Sequence, residues 1–433
     1  MTVLHKIFIA VLLLFFFFIS PSTAEIKSIN IRSDNRPMIL FEKFGFTHTG
    51  FISVAVSNVS VISDTESTPD PSRLGFFLLS EKLLIKVLHE VQQNPNFCVV
   101  DSRYISLLFT FRDLSVTSPY SFRKTYPVTY PSEYSLFFAN CNFESSVTMH
   151  VRTELYNNVN WTTKNYLSDG LTQLPFLYFI FSLIYMCFLR FWMSMCFKNQ
   201  RFFHRIHVLM SALLVTKAIS LICVTMDKHH VQVTGTHNVW NVLFYTFRFV
   251  NVVILFVVIV LIGAGWPYLK PLLLKKEKAV LMSVIPLQIL ANLAYMMLGE
   301  TGPYFEDWAI WNQVFSLVDF ICCCAVIFPI MWSITSLFAK TDVKCGISLR
   351  LFSVFGVVVI GYLFSLRVGV FSVKIIAGYK YQWVCNAVDE IASLVLYLVM
   401  FYMFRPVEED KYSAVVVDDN KGVYEEASDM AKG

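Results

Sequence analysis

The sequence predicts a multi-pass α-helical membrane protein, in which an N-terminal all-β domain precedes a bundle of seven transmembrane helices. Three observations support this fold class. Hydrophobic residues make up 56% of the 433 residues and charged residues only 15%, whereas soluble proteins have about 45–50% and about 25%. The chain begins with a short apolar segment of the kind found in signal peptides. Apolar stretches long enough to cross a bilayer recur from residue 174 onward.

Residues 1–24 predict a cleaved signal peptide. Lys6 precedes an apolar run from Ile7 to Ile19, and small residues follow Pro21 up to Ala24. An apolar run of about 13 residues is too short to span a bilayer core, so we expect cleavage after Ala24 rather than a retained anchor. The mature chain would then begin on the luminal or extracellular side.

Residues 25–168 predict a luminal or extracellular β-sandwich. Short runs rich in β-branched and aromatic residues alternate with clusters of turn residues, which is typical of all-β domains. We expect strands at 39–46, 51–62, 104–111, 134–143 and 145–156, and one helix at 80–91. The sequons at Asn58 and Asn160 are candidate glycosylation sites and fit a luminal location.

The cysteines predict one disulfide. Of the ten cysteines, only Cys98 and Cys141 lie in the polar N-terminal half, and an oxidising compartment favours their pairing. No CxxC pair suggests a zinc or redox site, and we interpret the run 322–324 as small packing residues. We therefore expect neither a metal nor another cofactor.

Seven apolar stretches predict a membrane domain over 174–404, followed by a polar, acidic and disordered cytosolic tail over 405–433. Lys and Arg concentrate after the first, third and fifth stretches, so the positive-inside rule places those loops in the cytosol. This orientation agrees with the signal peptide. The stretches lie at about 174–196, 206–226, 238–264, 279–298, 309–337, 349–372 and 384–404.

Six ionisable residues lie inside the predicted helices. A charge near the bilayer centre costs about 2.5–3.5 kcal/mol, so it requires an opposite charge or a water-filled cavity. In the predicted topology all six fall in the luminal half, and their charges cancel. We expect a charge-paired cavity that could bind a ligand; purely structural pairing between helices is the alternative. The six are Lys217, Arg248, Asp319, Arg367, Asp389 and Glu390.

Several histidines are weaker candidates. His204 and His207 lie three residues apart near the cytosolic start of the second stretch, but no third ligand is nearby, so we do not expect a metal site. His229 and His230 are expected in a solvated luminal loop.

Known enzyme signatures are missing from the sequence. It contains no GxSxG, HExxH, phosphate-binding loop or GxGxxG between a strand and a helix. Rhodopsin-type signatures are missing as well, since the third stretch ends in GAGWPYLK and the seventh has no Asn-Pro-x-x-Tyr. The net charge of +4 and the lack of a basic block do not suggest a nucleic-acid partner. We therefore expect a non-enzymatic protein.

Long strings of residues in both halves of the chain resemble the GOLD-domain seven-transmembrane family, which includes the lung seven-transmembrane receptors and the plant candidate G-protein-coupled receptors. Among them are RPMILFEKFGFTHTG (36–50), NYLSDGLTQLPFLY (165–178), RIHVLMSALLVTKAISL (205–221) and LVDFICCCAVIFPIMWSI (317–334). The resemblance implies a luminal GOLD-like sandwich, residence in Golgi or post-Golgi membranes and a role in trafficking. It carries over no catalytic residues.

The leading functional hypothesis is therefore a trafficking protein of the Golgi and trans-Golgi network that acts as a cargo or partner adaptor. Its sandwich would bind a luminal protein or glycan partner, its helices would contact membrane lipid, and its cytosolic loops would meet transport machinery. The alternative is a plasma-membrane G-protein-coupled receptor that signals through a heterotrimeric G-protein alpha subunit. A channel or transporter stays open because of the buried charges, although no inverted repeat is apparent.

Overall fold

A computed structural model describes most of the N-terminal domain and four long helices of the membrane domain. The described residues are 26–63, 69–94, 97–114, 121–142, 145–160, 162–199, 205–263, 310–311, 313–315, 317–318, 321, 324, 356–359, 361–362, 373 and 378–405. The predicted signal peptide, the fourth predicted span, most of the fifth and sixth, and the tail from 406 lie outside the described residues.

The N-terminal domain is a sandwich of two antiparallel sheets. In chain order its strands are β1 (Ile26–Asp34), β2 (Met38–Gly45), β3 (Gly50–Ser63), β4 (Leu74–Ser80), β5 (Ser106–Thr110), β6 (Ser121–Val128), β7 (Glu133–Asn140), β8 (Ser145–Val159) and β9 (Thr163–Asn165). One sheet has the order β1-β8-β3-β6, with β9 paired to β8, and the other has the order β2-β7-β4-β5.

Alternating apolar residues on the inner faces of both sheets form the sandwich core. In β3, Ile52, Val54 and Val56 are buried, as the period of two in a strand requires. From the facing sheet, Phe76 packs against Phe138 with ring centroids 5.1 Å apart. Burial of these apolar faces is the main force that holds the two sheets together.

Strand β4 was not predicted, and its surroundings explain why. All seven residues of LGFFLLS are buried, so β4 lacks the alternation that marks a strand with one solvated face. Its outer face is covered by helix α1 (Glu81–Gln93), whose Val87 joins Phe77 and Leu79 in a second apolar cluster. Strands β1 and β6 were also missed, and β6 is an edge strand interrupted by Pro127.

The predicted disulfide between Cys98 and Cys141 is confirmed. It joins the segment after α1 to the residue that follows β7, with a Cα–Cα distance of 5.4 Å and a sequence separation of 43. In the loop-closure description, a crosslink over a loop of this length stabilises the folded domain by about 4 kcal/mol. The bond fixes the far end of α1 against the sheet.

Four described helices are long and apolar enough to cross a membrane. They are α2 (Leu174–Lys198), α3 (Arg205–Thr234), α4 (Val239–Gly263) and α5 (Gln382–Met403), which correspond to the first, second, third and seventh predicted spans. Trp192 of α2 packs edge-on against Phe401 of α5 at 4.5 Å between ring centroids. Many apolar side chains of α2 remain exposed, among them Phe176, Phe179 and Phe191, as expected of a surface that faces lipid.

Helix α3 is longer than predicted. The second span was expected to end near residue 226, but the helix continues to Thr234. The prediction that His229 and His230 lie in a loop is therefore wrong, because both belong to the last turns of α3. These turns continue the helix beyond the apolar stretch because they contact the β-domain, an interaction that hydrophobicity along the chain does not reveal.

Candidate functional site

The β-domain is joined to the C-terminal end of α3 by main-chain hydrogen bonds. The amide of Ile26 in β1 donates to the carbonyl of Gly235 at 3.1 Å, and the amide of Tyr166 donates to the carbonyl of Gln232 at 3.1 Å. The last carbonyls of an α-helix have no partner within the helix. Two residues of the β-domain therefore satisfy acceptors at the end of a transmembrane helix.

Gly235 makes this contact possible. It has a φ of +72°, the left-handed conformation common just after a helix, and its amide bonds back to the carbonyl of Val231 at 2.8 Å. A Cβ at this position would lie 2.8 Å from the ring of Tyr166 and 3.0 Å from Ile26. Only glycine fits both the backbone angle and the close approach.

A second contact joins the β-domain to the start of α5. Gln382, the first residue of α5, donates from Nε2 to Oε1 of Glu133 at 3.0 Å. The 3₁₀ turn Asp169–Leu171 packs against the 3₁₀ turn Tyr379–Tyr381, and Gly170 lies so close to the carbonyl of Tyr379 that a side chain would not fit. The β-domain thus rests on two helices that are distant in sequence.

Below this junction, Lys217 of α3 and Glu390 of α5 form an ion pair. The ammonium lies 2.8 Å from Oε2 and 3.0 Å from Oε1, so it contacts both oxygens, although only Oε1 accepts a well-aligned hydrogen bond. Both side chains are largely buried, with 14% and 10% exposure. A buried charge is tolerated when an opposite charge meets it, and each residue supplies that for the other.

One tyrosine ring lies next to this ion pair, and a second tyrosine packs against the first. The Lys217 ammonium lies 5.7 Å from the ring centroid of Tyr185, a cation–π distance. Tyr185 in turn packs edge-on against Tyr397 of α5 at 5.7 Å. The hydroxyl of Tyr185 is buried and has no hydrogen-bond partner among the described residues. The aromatic ring next to the ion pair therefore carries a buried hydroxyl that has no hydrogen-bond partner among the described residues.

A neutral polar network extends the site to α4. The Asn251 side-chain amide and the Tyr397 hydroxyl are 3.1–3.2 Å apart, and the Thr216 hydroxyl donates to Oδ1 of Asn251 at 3.2 Å. We did not single out these residues in the sequence. The signal was present, since Asn251 is the lone amide in the apolar run FRFVNVVILF.

Of the other four predicted charges, two lie among the described residues. Arg248 lies 5.6 Å from the ring centroid of Phe244. Arg248 and Asp389 both interact electrostatically with Tyr178 and Tyr362, but neither makes an ion pair within the described part of the chain. Asp319 and Arg367 lie outside the described residues.

Asp227 and His237 form a further polar contact that the sequence did not suggest. Asp227 is 1% exposed near the C-terminal end of α3, and its Oδ1 lies 3.0 Å from Nδ1 of His237. Lys228 approaches the same carboxylate at 3.8 Å. This pair fixes the turn between α3 and α4, so we consider it part of the junction's support.

His207 has a structural contact rather than a ligand position. It is buried near the N-terminal end of α3, where its Nε2 lies 3.1 Å from the carbonyl of Phe404 and its ring stacks on Trp192. It thereby ties α3 to the end of α5. His204, its expected companion, lies outside the described residues.

The two sequon asparagines are both exposed and both in the left-handed conformation. Asn58 has a φ of 53° at a bulge in β3, and Asn160 has a φ of 52° in the turn between β8 and β9. Such positions leave the side-chain amide accessible to a modifying enzyme. Glycosylation at either site stays a prediction.

Comparison with known protein families identifies the two halves separately. Residues 27–157 match a family model described as the CAND6/7 N-terminal domain, and residues 173–411 match one described as the GOST seven-transmembrane domain. The chain belongs to the GOST seven-transmembrane family. The GOST match begins one residue before α2 and continues past α5, so it includes the predicted fourth, fifth and sixth spans.

One similar plant protein covers nearly the whole chain. The Arabidopsis thaliana protein called candidate G-protein coupled receptor 6 is 50% identical over 410 residues, which are 93% of this chain and 95% of that protein. The similarity thus includes both the β-domain and the bundle.

Proposed function

We propose that this protein is a non-enzymatic adaptor of Golgi and post-Golgi membranes. Its β-sandwich would recognise a luminal protein or glycan partner, and its cytosolic loops would contact transport machinery. The observation that supports this most is the attachment of the sandwich to both α3 and α5, because it links a recognition domain on one side of the membrane to helices that reach the other.

Attachment at two helices restrains the orientation of the sandwich. A single contact would allow the sandwich to swivel, whereas the main-chain bonds at Gln232 and Gly235 together with the Glu133–Gln382 bond restrain its orientation. A partner that favours one orientation would then shift the helix arrangement by as much as its affinity differs between the two states.

Steady-state localisation of the tagged full-length chain tests the proposal. We expect juxtanuclear and punctate fluorescence that overlaps with Golgi markers, and a change in the secretion of some glycoproteins when the protein is removed. Residence mainly at the plasma membrane, with secretion unchanged, would overturn the adaptor role.

The second candidate function is a G-protein-coupled receptor. Two observations favour it: the name of the Arabidopsis relative, and the buried ion pair Lys217–Glu390 beside the unsatisfied Tyr185 hydroxyl. A polar site in the luminal half of a bundle is where an external ligand would enter. Reconstitution with purified heterotrimeric G proteins, read by nucleotide exchange on the alpha subunit, would separate this function from the adaptor role.

A further inference from the structure

Arg190 is a charge within the first predicted span that we did not single out in the sequence. The structure places it on the exposed side of α2. Exposed side chains follow one another along this helix at intervals of three and four residues, which is the spacing of a single helix face. Arg190 is thus the charge in the middle of a lipid-facing surface. This surface includes Phe179, Leu183, Cys187, Arg190, Ser194 and Phe197.

Helix geometry places Arg190 well inside the lipid layer. The 25 residues of α2 extend for about 37 Å, with the midpoint at Met186. Arg190 follows about one turn later, so it lies about 9 Å inside the edge of a hydrocarbon core of about 30 Å centred on that midpoint. A long cationic side chain can bend toward the headgroups, but the Cα–Cβ bond tilts toward the helix N-terminus, here away from the nearer headgroups. The guanidinium therefore requires an anion beside it.

The described side chains do not supply this anion. Helix α2 contains no acidic residue, and the parts of α3 and α5 at the same end of the bundle, 205–216 and 394–403, contain no Asp or Glu. Within the described part of the chain Arg190 makes no ion pair, and Glu390 is already bound to Lys217. The counter-ion must come from outside the described bundle.

A second cation and a small residue lie next to Arg190 on the same surface. Lys198, the last residue of α2, is exposed and lies about 12 Å further along the helix axis. Ser194 lies between the two cations in the row of every fourth residue. Its hydroxyl donates to the carbonyl of Arg190 at 2.9 Å, so this short side chain stays against its own helix. A shallow gap remains between the guanidinium and the ammonium.

We propose that Arg190, Ser194 and Lys198 form a binding site for one anionic phospholipid of the leaflet at the C-terminal end of α2. The phosphate would lie over Ser194, between the two cations, and the acyl chains along Leu183 and Cys187. A guanidinium fork matches phosphate oxygens, and the apolar surface beyond it matches acyl chains. The inference goes beyond the proposed function and does not depend on it.

A lipid fits this surface better than a partner helix does. Exposed apolar residues continue on the N-terminal side of Arg190, and the cations lie only toward the end where headgroups begin. This order of apolar and charged groups is that of a phospholipid. A net negative headgroup would satisfy both cations, whereas the ammonium of phosphatidylcholine would repel Lys198.

Native mass spectrometry of the full-length protein measures the binding. Delipidated protein in a mild detergent is titrated with dioleoyl phosphatidic acid or with dioleoyl phosphatidylcholine, which have the same acyl chains and differ in headgroup charge. We expect one phosphatidic acid to bind about tenfold more tightly than phosphatidylcholine, as one charge-assisted hydrogen bond would provide. Equal affinities of the wild-type protein for the two lipids would overturn the proposal.

Variants locate the site. Arg190→Gln should weaken the binding of phosphatidic acid about tenfold, and Arg190→Lys, which keeps the charge but loses the fork, should weaken it less. Lys198→Gln should reduce the preference for phosphatidic acid over phosphatidylcholine. Arg405→Gln is the matched control, since it removes a cation at the end of α5, where Arg405 lies 4.8 Å from the Tyr402 ring centroid.

Thermal unfolding in detergent checks that the variants fold, and Arg190→Lys decides if Arg190→Gln does not. Wild-type affinity in the folded Arg190 variants, or an equal loss in Arg405→Gln, would contradict the site. A wild-type dimer that Arg190→Gln dissociates would also overturn the proposal, because Arg190 would then lie between two copies of the chain rather than against lipid.

Discussion

At the scale of single residues, the Lys217–Glu390 pair shows what the sequence could predict and what it could not. Six charges in apolar stretches are visible in the sequence, and the cost of a lone charge in lipid implies that they pair. The choice of partner depends on how α3 and α5 are rotated about their axes. These two residues lie 173 positions apart, and no local pattern encodes that rotation.

A double-mutant cycle tests this pair. Lys217→Met or Glu390→Gln alone leaves one buried group without its counter-charge, and we expect each to destabilise the bundle by about 3–5 kcal/mol. The double variant should lose less than the sum of the single losses. Thermal unfolding in detergent provides the measurement, and Asp389→Asn, one residue from Glu390, is the matched control. Additive losses would show that the two side chains do not interact.

At the scale of elements, several strands with one solvated face were predicted, whereas β4, which is covered on both faces, was not. Strand β3 alternates and was predicted, whereas β4 is buried on both faces because α1 covers one of them. The C-terminal turns of α3 were missed because they are polar, although Tyr166 and Ile26 bond to them. Secondary structure that depends on long-range contacts leaves little trace in the local sequence.

Substitution of Gly235 tests the junction between β1, β9 and α3. Gly235→Ala places a Cβ against Tyr166 and Ile26 on a backbone with positive φ, which should cost about 1–3 kcal/mol. We expect faster hydrogen exchange at Ile26 and Tyr166, with the sandwich core unchanged. Gly378→Ala is the control, because nothing lies within 4 Å of the added carbon. Equal effects of the two substitutions would contradict the role assigned to Gly235.

At the scale of the whole molecule, an N-terminal β-sandwich is joined to a multi-pass bundle of the GOST family. The fold class was predictable because hydropathy and the positive-inside rule act along the chain. The junction was not, since Glu133 and Gln382 are 249 residues apart and neither belongs to a recognisable motif.

Glycosylation mapping tests the orientation. We expect glycosidase treatment to reduce the apparent mass and Asn58→Gln to remove most of that shift. Asn160 lies about 14 residues before α2, close enough to the membrane to be modified poorly, so Asn160→Gln should change the mass less. A tag at the C-terminus should be digested by protease added to sealed microsomes. Protection of that tag from the protease would contradict the predicted orientation.

Because α3 is long, a small tilt of this helix moves its end sideways. Its 30 residues extend for about 45 Å, whereas the hydrocarbon core is about 30 Å thick, so roughly 15 Å of rigid rod stands beyond the lipid tails. If such a rod pivots about its midpoint by about 5°, its tip moves sideways by about 2 Å. The first residue of β1 and the residue after β9 are bonded to that tip, so the sandwich would move with it. A displacement of this size is comparable to the helix shifts by which subunit interfaces rearrange.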